Sequence, residues 1–236
     1  MWNGRTLAVV LPTYNEAASI AACISAFESL GVVDDIVVVN NNAHPDTSGE
    51  VARTGAREVF EPVQGYGAAI RRGFAETRDA DLVCVCEPDG TFDPHDITKL
   101  LPFTVDTDVV FGSRTVQTYI LSGANMGFFL RWGNWAVAKL TEALFNTVHL
   151  SDVGCTFRVI NREALDRITP DFEAHGSTFG FEMMLIAARH RLSIVQVPVK
   201  YQERVGESSV TGDLGKAVKL GFEMIGLCLR YRFRRR

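Results

Sequence analysis

The chain is poor in several residues and patterns, and each shortage removes a class of function. It has five cysteines, Cys23, Cys84, Cys86, Cys155 and Cys228, an odd number with no C-x-x-C spacing. A disulfide framework and a thiolate zinc site are therefore excluded, and a reducing, cytoplasmic setting is expected. The histidines are scattered, none at ligand spacing from a cysteine. No stretch offers the roughly 20 uninterrupted apolar residues that a spanning helix needs. The most apolar one, residues 119–130, is interrupted by Ser122, Gly123, Asn125 and Gly127. Residues 1–3 lead straight into a strand-like run with no leader-like segment. There is no G-x-S-x-G elbow for a serine hydrolase and no Walker A lysine. An excess of positive charge is missing too: the net charge is −4, so nucleic acid is not an expected partner. The charge is uneven, because residues 216–236 are strongly basic and end in Arg232-Phe233-Arg234-Arg235-Arg236.

What the chain does have is apolar mass: 47% of its 236 residues, enough for one sizeable core. In the first half, short β-branched runs alternate with helical patterns. Strands are expected at residues 6–11, 36–39, 58–60, 82–86 and 108–111, and helices at 16–30, 50–54 and 68–77. Cys84 and Cys86 share one face of their run and read as strand core. Buried runs without polar alternation predict a mostly parallel sheet with helices on both faces. The second half predicts helices at 132–148 and 179–189 and strands at 155–161 and 193–201, the last on an edge because it contains Pro198. The expected organisation is one α/β domain over residues 1–212, its nucleotide-binding half about 1–115 and its acceptor half about 116–212. A basic amphipathic segment, 213–236, follows.

Ligands of such sheets bind beyond the carboxyl ends of the strands. Polar groups collect at three of those ends: Thr13-Tyr14-Asn15-Glu16, Asn40-Asn41-Asn42 and Glu87-Pro88-Asp89-Gly90. The two carboxylates of Glu87-Pro88-Asp89 can hold one hard divalent cation, Mg²⁺ or Mn²⁺, of the kind that shares phosphate oxygens; the segment reads equally as a solvated turn. Gly65-Tyr66-Gly67 opens a helix whose N–H groups favour phosphate, or simply permits a tight turn. Arg114, Arg131 and Arg204 each sit beside small or polar clusters, the last near Gly206-Glu207-Ser208-Ser209. They suit phosphate through the planar guanidinium, or are ordinary surface arginines.

In order along the chain, LPTYNE (11–16), VVVNNN (37–42), GYGAAIRRG (65–73), EPDGTF (87–92), DVVFGSR (108–114), SDVGCTFRVINREAL (151–165) and VPVKYQERVGESS (197–209) resemble the family-two inverting glycosyltransferases of GT-A fold, and among them the dolichyl- and polyprenyl-phosphate sugar synthases. The resemblance spans nearly the whole chain. It implies that Pro12, Tyr14 and Glu16 line the base and ribose pocket of a nucleotide-sugar donor, with Asn40, Asn41 and Gly65 beside them. It also implies that Asp89 ligates the metal, that Glu87 supports it or touches the ribose, and that Gln202 is a further ligand. Arg114, Arg131 and Arg204 are implied to hold phosphates of donor or acceptor. Three segments depart from the family pattern. Glu87 stands where an aspartate is usual, Asn40 and Asn41 replace aspartates, and Gly154-Cys155-Thr156 replaces a Ser-Gly.

The implied chemistry is a single inverting displacement at the anomeric carbon, moving a hexose from a GDP- or UDP-sugar. A polyprenyl-phosphate acceptor needs no general base; a hydroxyl acceptor needs a carboxylate within reach. Asp152 is the first candidate for that base and Glu182 the second, while a structural role for Asp152 has equal weight. The alternatives are transfer to a soluble sugar or glycan, a non-catalytic nucleotide-sugar-binding protein, and a nucleotidyltransferase. Residues 213–236 bear on the acceptor, since Leu214, Val218, Phe222, Ile225 and Leu229 fall near one face of a helix flanked by basic residues. That pattern predicts peripheral contact with an anionic, cytoplasmic membrane face, or else a helix packed on the domain.

Overall fold

The structure is a computed structural model that describes residues 1–121, 123–124, 127–205 and 214–234. The expected boundary at residue 212, the Gly206-Glu207-Ser208-Ser209 cluster, Ser122, Asn125 and the side chains of Leu214 and Val218 lie outside the described residues. Seven strands form one sheet: β1 (Leu7–Thr13), β2 (Asp35–Asn40), β3 (Arg57–Phe60), β4 (Leu82–Val85), β5 (Val109–Ser113), β6 (Arg158–Asn161) and β7 (Ile194–Pro198). Their order is β3-β2-β1-β4-β6-β5-β7. All pairs are parallel except those of β6, which runs antiparallel to β4 and β5. The helices are α1 (Ile20–Ser29), α2 (Pro45–Val51), α3 (Tyr66–Glu76), α4 (Ile97–Leu100), α5 (Phe128–Phe145), α6 (Arg162–Ile168), α7 (Phe179–Arg189) and α8 (Leu214–Phe233).

The continuous apolar strands are buried on both faces, as their lack of alternation predicts. Along β4, Val83 and Val85 enter a cluster with Phe74 of α3, Ala138 of α5 and Met184 of α7, while Leu82 and Cys84 enter the opposite cluster with Ile24 and Phe27 of α1. All five cysteines are free and buried. β7 is an edge strand paired only with β5, and Pro198 lies opposite Ser113 at its end, where a missing N–H costs no ladder bond.

Several boundaries differ from the expected ones, each for a local reason. α1 starts at Ile20 rather than residue 16, because the Glu16 carboxylate accepts the N–H groups of Tyr14 and Asn15 and closes a turn first. α2 begins at Pro45, a residue pre-set for the first helical turn, and not at residue 50. α5 runs from Phe128 to Phe145 and stops at Asn146, whose φ of 47° is a left-handed helix end. α4 and α6 were not expected from the apolar pattern; both are short helices placed directly against neighbouring elements.

Candidate active site

The carboxyl ends of β1, β2, β4, β5 and β7 share one edge of the sheet, and antiparallel β6 brings its amino end to the same edge. Polar segments from 13–16, 40–42, 87–91, 113–114, 151–156 and 201–205 therefore converge although they are distant in sequence.

At the centre is the turn after β4. Asp89 is 1% exposed. Its Oδ1 accepts the Thr91 N–H at 2.9 Å and the Thr91 hydroxyl at 2.6 Å. Its Oδ2 is buried with no hydrogen-bond partner, although Arg204 Nη1 lies 3.1 Å away outside hydrogen-bonding geometry. The turn is fixed from both sides: Ser19 Oγ donates to Pro88 O at 2.6 Å, and Val205 N donates to Asp89 O at 2.9 Å. Burial and then the charge of Asp89 push the Glu87 carboxyl up to about 7, with Arg204 and Arg114 pulling against that rise. Two carboxylates that resist sharing negative charge, one with an oxygen lacking a partner, are a donor set suited to a hard cation. Gln202 is held against this turn, its amide nitrogen donating to Gly90 O at 2.9 Å. A cavity of ≈ 510 Å³ opens beside it, lined by Ser19, Cys23, Gly90, Phe92, Gln202 and Val205 among others.

The arginines are held by carboxylates. Arg204 spans Asp89 and Glu16, with Nη2 at 3.1 Å from Glu16 Oε1. Arg114 meets Asp152 side by side: Nε to Oδ2 at 2.8 Å and Nη2 to Oδ1 at 2.9 Å. Asp152 also accepts the N–H groups of Arg114 and Gly154, both at 2.9 Å. It is fully buried. Burial works to raise its pKa, but the Arg114 charge and these hydrogen bonds outweigh it and hold the carboxyl below its usual range. Arg131 lies on α5 and donates to Gln117 Oε1; among the described residues no ion pair joins it to Glu87 or Asp89.

Other expected contacts are spent inside the protein. Glu16 Oε2 accepts Thr13 Oγ1, Tyr14 N and Asn15 N at 2.6–2.8 Å. Asn40 donates to Ser48 Oγ and Glu58 Oε1 and accepts Ala43 N. Asn41 donates to Glu61 O and Val63 O and accepts from Gln64 and Gly65 N. Each amide thus has both N–H groups engaged, and both residues organise the loops that border the site. Pro12 is buried in β1, opposite Val39, while Tyr14 is half exposed. Gly65, at φ 146°, and Gly67 are required by close approach: a Cβ would lie 2.2 Å from His175 O at the first and 2.6 Å from Ala174 O at the second. One N–H at the start of α3, that of Ala68, is taken by His175 O at 3.1 Å. The close approach of residues 174–175 thus requires both glycines and covers part of the start of α3. Glu182 is also committed to internal donors.

Three residues were not singled out by sequence. Tyr66 places a buried hydroxyl without a hydrogen-bond partner beside Glu87; burial, and next the Glu87 charge, hold its pKa well above the ordinary range. Arg158 is 2% exposed and donates to the carbonyls of Gly180 at 2.7 Å and Cys155 at 2.6 Å, with its guanidinium over the Phe111 ring. An arginine inside the apolar run FRVI was the available signal. Gln196 of β7 accepts Ser151 N at 2.6 Å and donates to Asp152 O, fixing the loop that carries Asp152.

The chain is similar to several known proteins. The low-salt glycan biosynthesis hexosyltransferase Agl6 of Haloferax volcanii is 31% identical over 87% of the chain, and the chain spans half of that protein's length. The dolichyl-phosphate hexose transferase of the same organism is 32% identical over 97% of the chain and 96% of its own length. Among solved structures, glucosyl-3-phosphoglycerate synthase from Mycobacterium tuberculosis, in complex with Mn²⁺, uridine diphosphate and phosphoglyceric acid, superposes with a TM-score of 0.76 at 22% identity. The alignment covers 99% of this chain and 80% of that one. The fold is thus GT-A. Glycosyl transferase family 2 matches residues 8–169, and the chain belongs to that family of glycosyltransferases.

Proposed function

We propose that the protein transfers a hexose from a nucleoside diphosphate sugar, GDP- or UDP-linked, to a polyprenyl or dolichyl phosphate, with inversion at the anomeric carbon. The observation that carries this reading is the Glu87–Asp89 pair, its buried Asp89 Oδ2 without a hydrogen bond and, among the described residues, ion-paired only to Arg204, with the charges of Arg204 and Arg114 acting on Glu87. Asp89 and Glu87 would hold Mg²⁺ or Mn²⁺, with Gln202 adjacent. When bound, that ion would neutralise charge on the departing nucleoside diphosphate. Arg204 and Arg114 add fixed positive charge beside Glu87, where the leaving group's charge develops, and their carboxylate partners hold them oriented beforehand. Tyr14, Pro12 and the loops organised by Glu16, Asn40, Asn41 and Gly65 border the nucleotide.

The acceptor choice is supported by what the carboxylates are doing. Asp152 has each oxygen accepting two N–H groups, and Glu182 is 1% exposed with three internal donors. Neither is disposed to take a proton from a hydroxyl. A phosphate acceptor is already ionised and needs only cations, for which Arg131 on α5 is available beside the acceptor half. Similarity to a dolichyl-phosphate hexose transferase supports the same choice. A second reading, a soluble phosphorylated or hydroxylated acceptor, draws on the fold shared with glucosyl-3-phosphoglycerate synthase.

Contact with a membrane would be made by α8. Phe222 is 70% and Phe233 73% exposed, with Ile225 and Leu229 between them, and Lys219, Arg230 and Arg232 lie alongside. No helix among the described residues is long and apolar enough to cross a membrane, so such contact would be peripheral.

A thermal-shift series with GDP, UDP, dTDP and CDP, each with and without Mn²⁺, tests the donor reading. Stabilisation by one of them that requires the metal is expected; none by any would sink it. Transfer of labelled hexose to polyprenyl phosphate in detergent, compared with soluble acceptors, then decides between the two acceptor readings.

A further inference from the structure

Glu182, on the first turn of α7, is a carboxylate removed from solvent and satisfied entirely by the protein. It accepts the N–H groups of Glu173 and Ala174 at 3.0–3.3 Å and the hydroxyl of Tyr231 at 2.5 Å. Tyr231 belongs to α8 and is itself 1% exposed. The same helix and the residue after it reach the segment from outside, where Arg230 and Arg234 pair with the Glu173 carboxylate at 2.8 and 2.7 Å. Residues 173–175 are thus held between α7 and α8.

The carbonyls of that segment close on the turn leading into α3. Ala174 O and His175 O occupy the space that side chains at Gly67 and Gly65 would need, and His175 O receives the Ala68 N–H. Between the two glycines, Tyr66 has a buried hydroxyl without a hydrogen-bond partner, near enough to Glu87 to feel its charge. A continuous set of contacts therefore runs from α8 through Glu182 and residues 173–175 to the turn beside the donor carboxylates. Contacts this close transmit displacement because packed interiors have no slack.

We propose that Glu182 is a positioning residue of the donor site, acting through residues 173–175 on the Gly65-Tyr66-Gly67 turn, and that α8 sets it by way of Tyr231. The inference rests on the donor-site reading above and adds its control. Whatever engages the exposed face of α8 acts at the same time on the clamp that orders the donor side.

The test uses the full chain. Tyr231→Phe removes one donor to Glu182 and keeps the ring. Hydrogen–deuterium exchange of residues 65–69 is measured without ligand, and UDP and GDP affinity is measured with Mn²⁺. Expected are exchange at 65–69 faster by fivefold or more and a nucleotide Kd raised three- to tenfold, with donor KM rising more than kcat falls. Arg5→Ala is the control: it loses bonds to Thr104 and Asn161 at the far end of the sheet, and is expected to lower the melting temperature while leaving both readouts unchanged. Should Tyr231→Phe fail to fold, the exposed double variant Arg230→Ala/Arg234→Ala is expected to move both readouts in the same direction. Unchanged exchange at 65–69 in a folded variant overturns the clamp. Failure of the wild type to bind any nucleotide overturns the donor-site reading instead, and the two failures are distinguished because exchange is read without ligand.

Discussion

Asp152→Asn separates a catalytic base from a structural anchor. In the structure each carboxylate oxygen accepts two N–H groups, from Arg114 N and Nε on one side and Arg114 Nη2 and Gly154 N on the other. An amide in its place turns an NH₂ toward two donors and leaves the largely buried Arg114 charge without its counter-ion. Breaking a buried ion pair on one side costs about 3–5 kcal/mol. At about 2–4 °C per kcal/mol for a chain of this size, Tm should fall by roughly 6–20 °C. The pH dependence has a definite sign. The folded pKa of Asp152 is held down, against the effect of burial, by Arg114. Its contribution is therefore fully present above the unfolded value of about 3.9 and is lost as pH falls through the lower folded value. Thermal melts between pH 7 and pH 3 should show the gap between wild type and variant narrowing at the acid end. A variant that melts like the wild type at pH 7, binds donor normally and has lost turnover a thousandfold would refute this reasoning and restore Asp152 as a base.

Further outcomes are expected. Asp89→Asn should abolish Mn²⁺-dependent stabilisation by nucleotide in thermal shift, and Glu87→Gln should weaken it. Because burial and the Asp89 charge push the Glu87 carboxyl up to about 7 and a cation binds the ionised form, apparent Mn²⁺ affinity of the wild type should rise through pH 7, with the slope gone in Glu87→Gln; a slope that persists would exclude Glu87. Arg158→Lys should destabilise despite keeping the charge, by about 1–3 kcal/mol for each buried carbonyl left unpaired, because an ammonium cannot reproduce the guanidinium fork; equal melting temperatures would contradict it. Gly65→Ala should cost more stability than Gly67→Ala, since it adds a strained φ of 146° to the clash, while Gly49→Ala, with nothing within 4 Å, should be neutral or stabilising in α2. Phe222→Glu with Ile225→Glu should abolish co-sedimentation with phosphatidylglycerol vesicles and leave the fold unchanged, both side chains being exposed; unchanged sedimentation would remove α8 as the membrane contact.

Much of the architecture was legible before any coordinates. The parallel sheet followed from unbroken β-branched runs such as TLAVVL and IVVV, because a strand buried on both faces has no polar side to alternate. The edge position of β7 followed from Pro198, which has no N–H to give a neighbour. The ordered motifs gave the family, and their place at strand ends put their polar groups on one edge, since a parallel sheet delivers its loops to one edge. Element boundaries were less legible: a helix start is decided by local hydrogen bonds such as those of Glu16, which apolar spacing does not encode.

What only the tertiary structure decided is how each polar group is used. Asp152, Glu182, Asn40 and Asn41 have the composition of ligands or bases, yet their hydrogen-bonding capacity is consumed by backbone and side-chain partners of the protein, several of them 20 or more residues away. Gln196 was invisible as a site residue, and Arg158 was signalled only by its place in an apolar run, because their partners, Asp152 and Gly180, are brought near only by the tertiary fold. The sequence by itself determined the fold class, the family and the strand ends at which polar groups collect, because periodicity and motif order can be read along a chain before it folds. Which of those groups remain free to meet a ligand depends on long-range pairing, and that is settled only when the chain has folded.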